Sequence, residues 1–255
     1  MPESEMSTIC RYLPQAMQER GKEIRVFMPR FGYINERRNQ LHEVIRLSGM
    51  NLIINDTDHP LIIKVASIQA ARMQVYFIDN EEYFGRRNML YDPEDGFFPD
   101  NDERAIFFGR GVLETIRKLR WQPNVVHCHG WFTSLVPLYL RKAFREDPLF
   151  SKVKVVHSIY NEAFQTPFNP DFKAKAFLDG IAKKDLAVLD KPNYVTLTKL
   201  AINFSDGFVT VGDEIHPGVL DILKASNKPV IQHNPETYIQ DCENLYAELL
   251  RPKDM

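Results

Sequence analysis

The sequence predicts an α/β protein built on a Rossmann-like, doubly wound and mostly parallel sheet, and three observations predict it. From residue 103 onward, apolar runs of strand length alternate with helical stretches, the pattern of βα units and parallel pairing. Several of those runs are branched and apolar throughout, as strands buried on both faces are. The segment Val125-Val126-His127-Cys128-His129-Gly130-Trp131-Phe132-Thr133-Ser134-Leu135-Val136-Pro137 reads as a buried strand, a tight turn at Gly130 and a helix start. Its polar side chains gather at the strand's carboxyl end, where open α/β sheets bind ligands.

Each element follows from local pattern. Ser7 to Arg20 is expected as an amphipathic helix with Ile9, Leu13, Ala16 and Met17 on one face, closed by Gly21. Glu23 to Met28 reads as a strand stopped by Pro29. Leu41–Leu47, Leu61–Ile68 and Met73–Ile78 are β-rich runs divided by short turns such as Asn55-Asp56-Thr57-Asp58, an excursion of strands without helices between them. Glu81 to Asp102 is loop-like and too long for a plain connector. Glu103–Leu119 is helical, the His-containing strand follows, and Trp131–Phe144 is helical again. Val153–His157 is a further strand with a His at its end, and Ser158 to Lys173 reads as irregular. Helices are expected near Phe172–Leu178 and Thr196–Phe204, a strand at Gly207–Val211, a helix from Asp213 to Ala225 and a short strand at Pro229–Ile231. Pro235 opens a last helix running to about Leu250, with Tyr238, Cys242, Leu245, Tyr246 and Leu249 on one face. Residues 1–255 read as one domain with no linker.

Composition narrows the function classes. The 255 residues are 44% hydrophobic and 26% charged with a formal net charge of −2, enough for a sizeable core and too balanced for a basic field that binds nucleic acid or a membrane surface. No apolar run reaches a spanning length and the first residues are no signal peptide. Cys10, Cys128 and Cys242 are odd in number and scattered, so no disulfide framework is implied and a reducing cytoplasm is expected.

The 125–137 segment resembles the signature V-V-H-x-H-D-W-H-[TA]-x-L-x-P of bacterial glycogen and plant starch synthases. Four further stretches match that family in order: Cys10 to Gly32, Val75 to Arg86, Asp100 to Arg110 (D-N-x-x-R-F-x-x-F-x-R in the family) and Ser205 to Gly212. The resemblance implies the N-terminal half of a two-domain GT-B glycosyltransferase. Such enzymes move glucose from ADP-glucose to an α-1,4-glucan, with no required metal and no cofactor. It also implies that the chain holds the acceptor side, that the second, donor-binding domain is absent, and that 235–250 is the closing helix that packs back on the first domain. Substrate contacts are implied at His129, Trp131, Thr133, His157 and Tyr91, and the partners are α-glucan, ADP-glucose and a donor domain or a second copy.

The pattern is broken at chemically important points. Gly130 replaces the family's Asp and Phe132 its second His, so no catalytic set is intact, although His157 is retained. The family's K-x-G-G-L loop, which suits a phosphate at a helix N-terminus, is replaced by Pro2-Glu3-Ser4-Glu5-Met6-Ser7-Thr8, where Ser4 and Glu5 read most simply as helix caps. The strand that precedes this loop in the family has no counterpart, so either an incomplete N-terminus or another segment at that central position is expected. His157 reads equally as a sugar-contacting residue or a hydrogen-bonded strand-end residue. Trp131 and Tyr91 read as sugar platforms or as core. His127 and His129 share a strand face with Cys128 turned away, too few ligands for a structural zinc. Lys183-Lys184-Asp185 reads as a solvated helix face. Two functions fit: a working part of a glucosyltransferase, or a non-catalytic glucan-binding or regulatory relative.

Overall fold

The computed structural model describes residues 4–85, 89–92 and 96–252. In chain order the elements are α1 (Glu5–Glu19), β1 (Val26–Pro29), β2 (His42–Glu43), β3 (Met50–Ile54), β4 (Thr57–Ile68), β5 (Met73–Asp79), β6 (Tyr91–Asp92), β7 (Gly96–Phe97), α2 (Asn101–Leu119), β8 (Val125–His129), α3 (Val136–Arg141), β9 (Lys154–Tyr160), α4 (Phe172–Lys175), α5 (Tyr194–Phe204), β10 (Gly207–Val211), α6 (Pro217–Ser226), β11 (Val230–Gln232) and α7 (Tyr238–Leu250).

The alternating half of the sequence forms a four-stranded, wholly parallel sheet in the order β11-β10-β9-β8. Side chains alternate across it. Val155, Ile159 and Phe208 join the main core with Tyr139 of α3 and Leu197 and Leu200 of α5. Val156, Tyr160, Val209 and Val211 face the other way, under Ile9, Leu13 and Met17 of α1 and Cys242 and Leu245 of α7. Helices on both faces explain why these strands are apolar throughout.

The strand excursion forms a separate five-stranded sheet in the order β1-β5-β4-β2, with β3 on β4. Here β1–β5 is parallel and the remaining pairs are antiparallel. Residues 41–79 contain no segment long enough for a parallel crossover, so adjacent strands fold back on each other. Asn55 and Asp56, at φ 51° and 60°, make the two-residue turn between β3 and β4. β3 itself was hidden by its weak alternation, and the expected strand 41–47 shrinks to β2 because the chain turns after Val44.

Among the described residues β1 pairs with β5 alone and β8 with β9 alone, so the two sheets are not one continuous sheet. They are tied at both ends by side chains. The Arg25 guanidinium lies 5.0 Å from the Trp121 ring, and Phe84 bridges Phe31 and Phe132 at 5.9 and 6.4 Å.

Two boundaries differ from expectation in ways that matter for the site. β9 runs to Tyr160, because Ser158 to Tyr160 keep pairing with Val209 to Val211. The expected helix 131–144 is a 3₁₀ turn, Trp131–Thr133, followed by the short α3, whose Pro137 occupies the first turn where no N–H is needed. Lys183 and Lys184 are exposed as expected, on a 3₁₀ turn, Lys183–Leu189, in which Asp185 pairs with Lys142 at 3.1 Å.

Candidate functional site

The site is built at the carboxyl ends of β8 and β9. Gly130 ends β8 with φ 73° and ψ 171°, a region open essentially to glycine. Its N–H donates to the Ser158 carbonyl at 3.0 Å, and its carbonyl accepts from the Thr133 N–H at 3.2 Å and the Thr133 hydroxyl at 2.9 Å. The turn is therefore fixed by backbone and by Thr133 together.

His127 and His129 stack at 4.2 Å on the face covered by α1 and α7. His127 is hydrogen-bonded through Nδ1 to the Tyr246 hydroxyl (2.6 Å) and through Nε2 to the Ser158 hydroxyl (2.7 Å). His129 Nδ1 lies 2.8 Å from the Tyr160 hydroxyl. His157 is the register partner of Cys128 and lies on the opposite face, 1% exposed, with no hydrogen-bond partner for Nδ1 among the described residues. The three imidazoles therefore do not converge, and no group of three metal-ligating side chains forms among the described residues. Burial, then mutual repulsion, holds His157 down to about 3 and His127 well below the usual 6.5, while burial alone takes His129 to about 4. All three are neutral hydrogen-bonding groups near pH 7.

The strongest functional group here was missed by sequence reading. Glu162 follows β9 by two residues, and its carboxyl group turns back to the Gly130 turn, where the Trp131 N–H donates to Oε1 at 2.5 Å. Burial pushes this carboxyl up to about 8, against the lowering effect of that hydrogen bond. Tyr91, Tyr160, Tyr194 and Cys10 all feel its charge. Residues 158–173 looked irregular, and the available signal was an acidic residue just past a strand's carboxyl end.

α1 begins over the same edge. Ser4 and Ser7 exchange capping hydrogen bonds of 3.1 and 2.9 Å, so Ser4 does cap the helix. Glu5 does not cap; its carboxylate stands over Gly212 at the end of β10. A cavity of about 540 Å³ lies between Ser4, Glu5 and Thr8 of α1 and His233, Pro235 and Tyr238. Pro2 and Glu3 of the segment that replaces the family's loop, and Arg86 of the matched stretch, lie outside the described residues.

The remaining expected residues are distributed between core and surface. Trp131 is 2% exposed and packs against Phe97, Phe132, Phe164 and Phe168. Phe132 is 7% exposed and points into the main core against Phe84 and Phe108. Tyr91 is 47% exposed, its ring 5.3 Å from Phe97, which also touches Trp131. The D-N-x-x-R stretch is a clamp: buried Arg104 donates to the carbonyls of Tyr83 and Met89 and to Asn101 Oδ1, at 2.6–2.8 Å.

A parallel sheet sheathed on both faces, packed beside a second, mixed sheet and carrying polar groups at its strand ends, has the architecture of the N-terminal half of a GT-B glycosyltransferase. The catalytic domain of starch synthase IV from Arabidopsis thaliana, solved with ADP and acarbose, superposes at a TM-score of 0.71 with 18% identity, covering 90% of this chain and 48% of that one. Residues 2–221 match the starch synthase catalytic domain family. The glycogen synthase of Chlorobaculum tepidum is 36% identical over 254 residues, 98% of this chain and 50% of that protein. The glycogen synthase of Chlorobium limicola is 38% identical over 159 residues, 62% of this chain and 32% of that protein. The chain belongs to the glycogen and starch synthase family, and it spans half or less of the length of these curated relatives.

Proposed function

We propose that this chain is the glucan-holding half of a glycogen or starch synthase type glucosyltransferase and that by itself it transfers no glucose. One observation carries the reading: residue 130 is a glycine at φ 73° and ψ 171°, and the volume beside it is taken by the Glu162 carboxyl and the Met6 methyl, 2.5 and 2.6 Å from where a Cβ would lie. A carboxylate cannot be supplied from position 130, and charge-stabilising groups of that kind commonly contribute several kcal/mol to a barrier. Phe132, where the family pattern has a His, faces the core and offers no polar atom. The imidazoles at the ends of β8 and β9 are neutral, and the carboxylate of Glu5 stands over the end of β10, a set that suits sugar hydroxyls rather than phosphates.

In this reading His129 and Tyr91 are glucan contacts, Thr133 holds the turn, and Trp131 and His157 support the site from the core. ADP-glucose is bound by a donor domain of the kind that forms the second half of such enzymes. The segment 235–250 is the closing helix of the fold. Its docking through Cys242 and Leu245, and through the Tyr246 hydroxyl on His127, supports that assignment. Family membership supports a second reading, in which the chain takes part in transfer once a donor domain is present.

A radiolabelled transfer assay with ADP-glucose and glycogen, run beside glycogen co-sedimentation, separates these. The 255-residue chain is expected to sediment with glycogen and to incorporate no label above a heat-killed control. Label incorporation by the chain alone contradicts the non-catalytic reading, and failure to sediment contradicts glucan holding.

A further inference from the structure

The geometry points to Glu162 as the carboxyl group of this site, delivered from the end of β9 into the volume beside Gly130, where it holds a hydroxyl of the bound glucan. The inference deepens the glucan-holding reading and rests on it. Three observations carry it.

First, Glu162 occupies the place of a side chain on residue 130. An added Cβ at Gly130 would meet Oε1 at 2.5 Å and Oε2 at 3.0 Å, so both carboxyl oxygens border that volume. The backbone at 130, at φ 73° and ψ 171°, belongs to glycine, and the neighbouring strand reaches over it instead. Second, the carboxyl is fixed but not consumed. Oε1 accepts the Trp131 N–H, and among the described residues that is the one hydrogen bond the side chain makes. No Lys, Arg or His forms an ion pair with it there, unlike Asp79 or Asp102, whose carboxylates are locked by Arg30 and Lys64 or by Lys175. Glu162 is half-buried, and its second oxygen has no hydrogen-bond partner among the described residues. Third, its surroundings are those of a neutral polar site. Tyr91, Tyr160 and Tyr194 lie near enough to feel its charge, Met6 closes one side, and the Tyr160 hydroxyl is in turn hydrogen-bonded to His129.

Burial raises the carboxyl to about 8, so near pH 7 it is a neutral acid. Such a group accepts from Trp131 with one oxygen and donates or accepts at a hydroxyl with the other. A polyol fits that valence, and a phosphate, which would face a carboxyl and no cation, does not.

The test is isothermal titration of the full chain with maltoheptaose, and separately with ADP, using wild type, Glu162→Ala and Glu162→Gln. Losing one such hydrogen bond predicts about tenfold weaker maltoheptaose binding by Glu162→Ala. Glu162→Gln, which keeps an acceptor for Trp131 and a donor for the sugar, is expected to stay within about threefold of wild type. ADP is expected not to compete. A second measurement needs no variant: the ¹³C resonance of the Glu162 carboxyl should move on saturation with maltoheptaose. If wild type binds maltoheptaose while Glu162→Ala binds equally well, or the carboxyl resonance stays fixed at saturation, the role of Glu162 is overturned and glucan holding stands. If wild type binds no maltoheptaose, glucan holding itself is overturned and Glu162 with it.

Discussion

Gly130 and Glu162 form one unit at the residue scale, and each constrains what the other can become. Gly130→Ala meets both a forbidden backbone region and the Glu162 carboxyl, so a loss of about 2–4 kcal/mol is expected in urea unfolding. The titrating groups give a pH signature with opposite signs. Glu162 has its folded pKa raised to about 8 from 4.5, so its contribution is full below 4.5 and is lost as pH rises through about 8. His129 and His157 are lowered to about 4 and about 3 from 6.5, so their contributions are full above 6.5 and are lost as pH falls through those values. Stability should therefore fall on both sides of neutrality. Glu162→Gln removes the alkaline limb, and the variant should exceed wild type in stability at about pH 9 while matching it near pH 5. Equal alkaline sensitivity in the two proteins would place the titrating group elsewhere.

At the scale of single elements, α7 and the β3–β4 hairpin make separate predictions. Leu245 is 2% exposed between α1 and the parallel sheet, so Leu245→Ala should cost about 2–5 kcal/mol and lower the thermal midpoint by several degrees. An unchanged midpoint would mean that α7 is a loose tail. In the hairpin, Asp56 holds φ 60°, a conformation that glycine adopts freely. Asp56→Gly should thus stabilise the fold by about 0.5–1 kcal/mol, completing an Asn-Gly turn. A thermal scan showing destabilisation would argue against that turn type.

On the scale of the whole molecule, the parallel half was legible because βα alternation and apolar strands state it directly. The position of the site was legible for the same reason, since Val125 to Pro137 is a strand, turn and helix start in any frame. What escaped was long-range. Nothing local marks β1 and β8 as members of different sheets, because strand partners are chosen by the packing of residues far apart in sequence. Trp131 read as a platform or as core, and the residues that decide for core, Phe97 on one side and Phe164 with Phe168 on the other, come from two stretches far apart in sequence. Glu162 was invisible as a partner of Gly130 because only the pairing of β8 with β9 brings residue 162 back to residue 130.

The central claim is that the strand ends around Gly130 and Glu162 hold an α-1,4-glucan. Backbone amide NMR of the ¹⁵N-labelled chain, titrated with maltoheptaose, tests it most directly. The account predicts saturable shifts concentrated at His129, Gly130, Trp131, Tyr91 and Glu162, with the region around Lys22 and Arg72, past the far end of α1, unchanged. Saturable shifts centred away from these strand ends, or none at all, would contradict it.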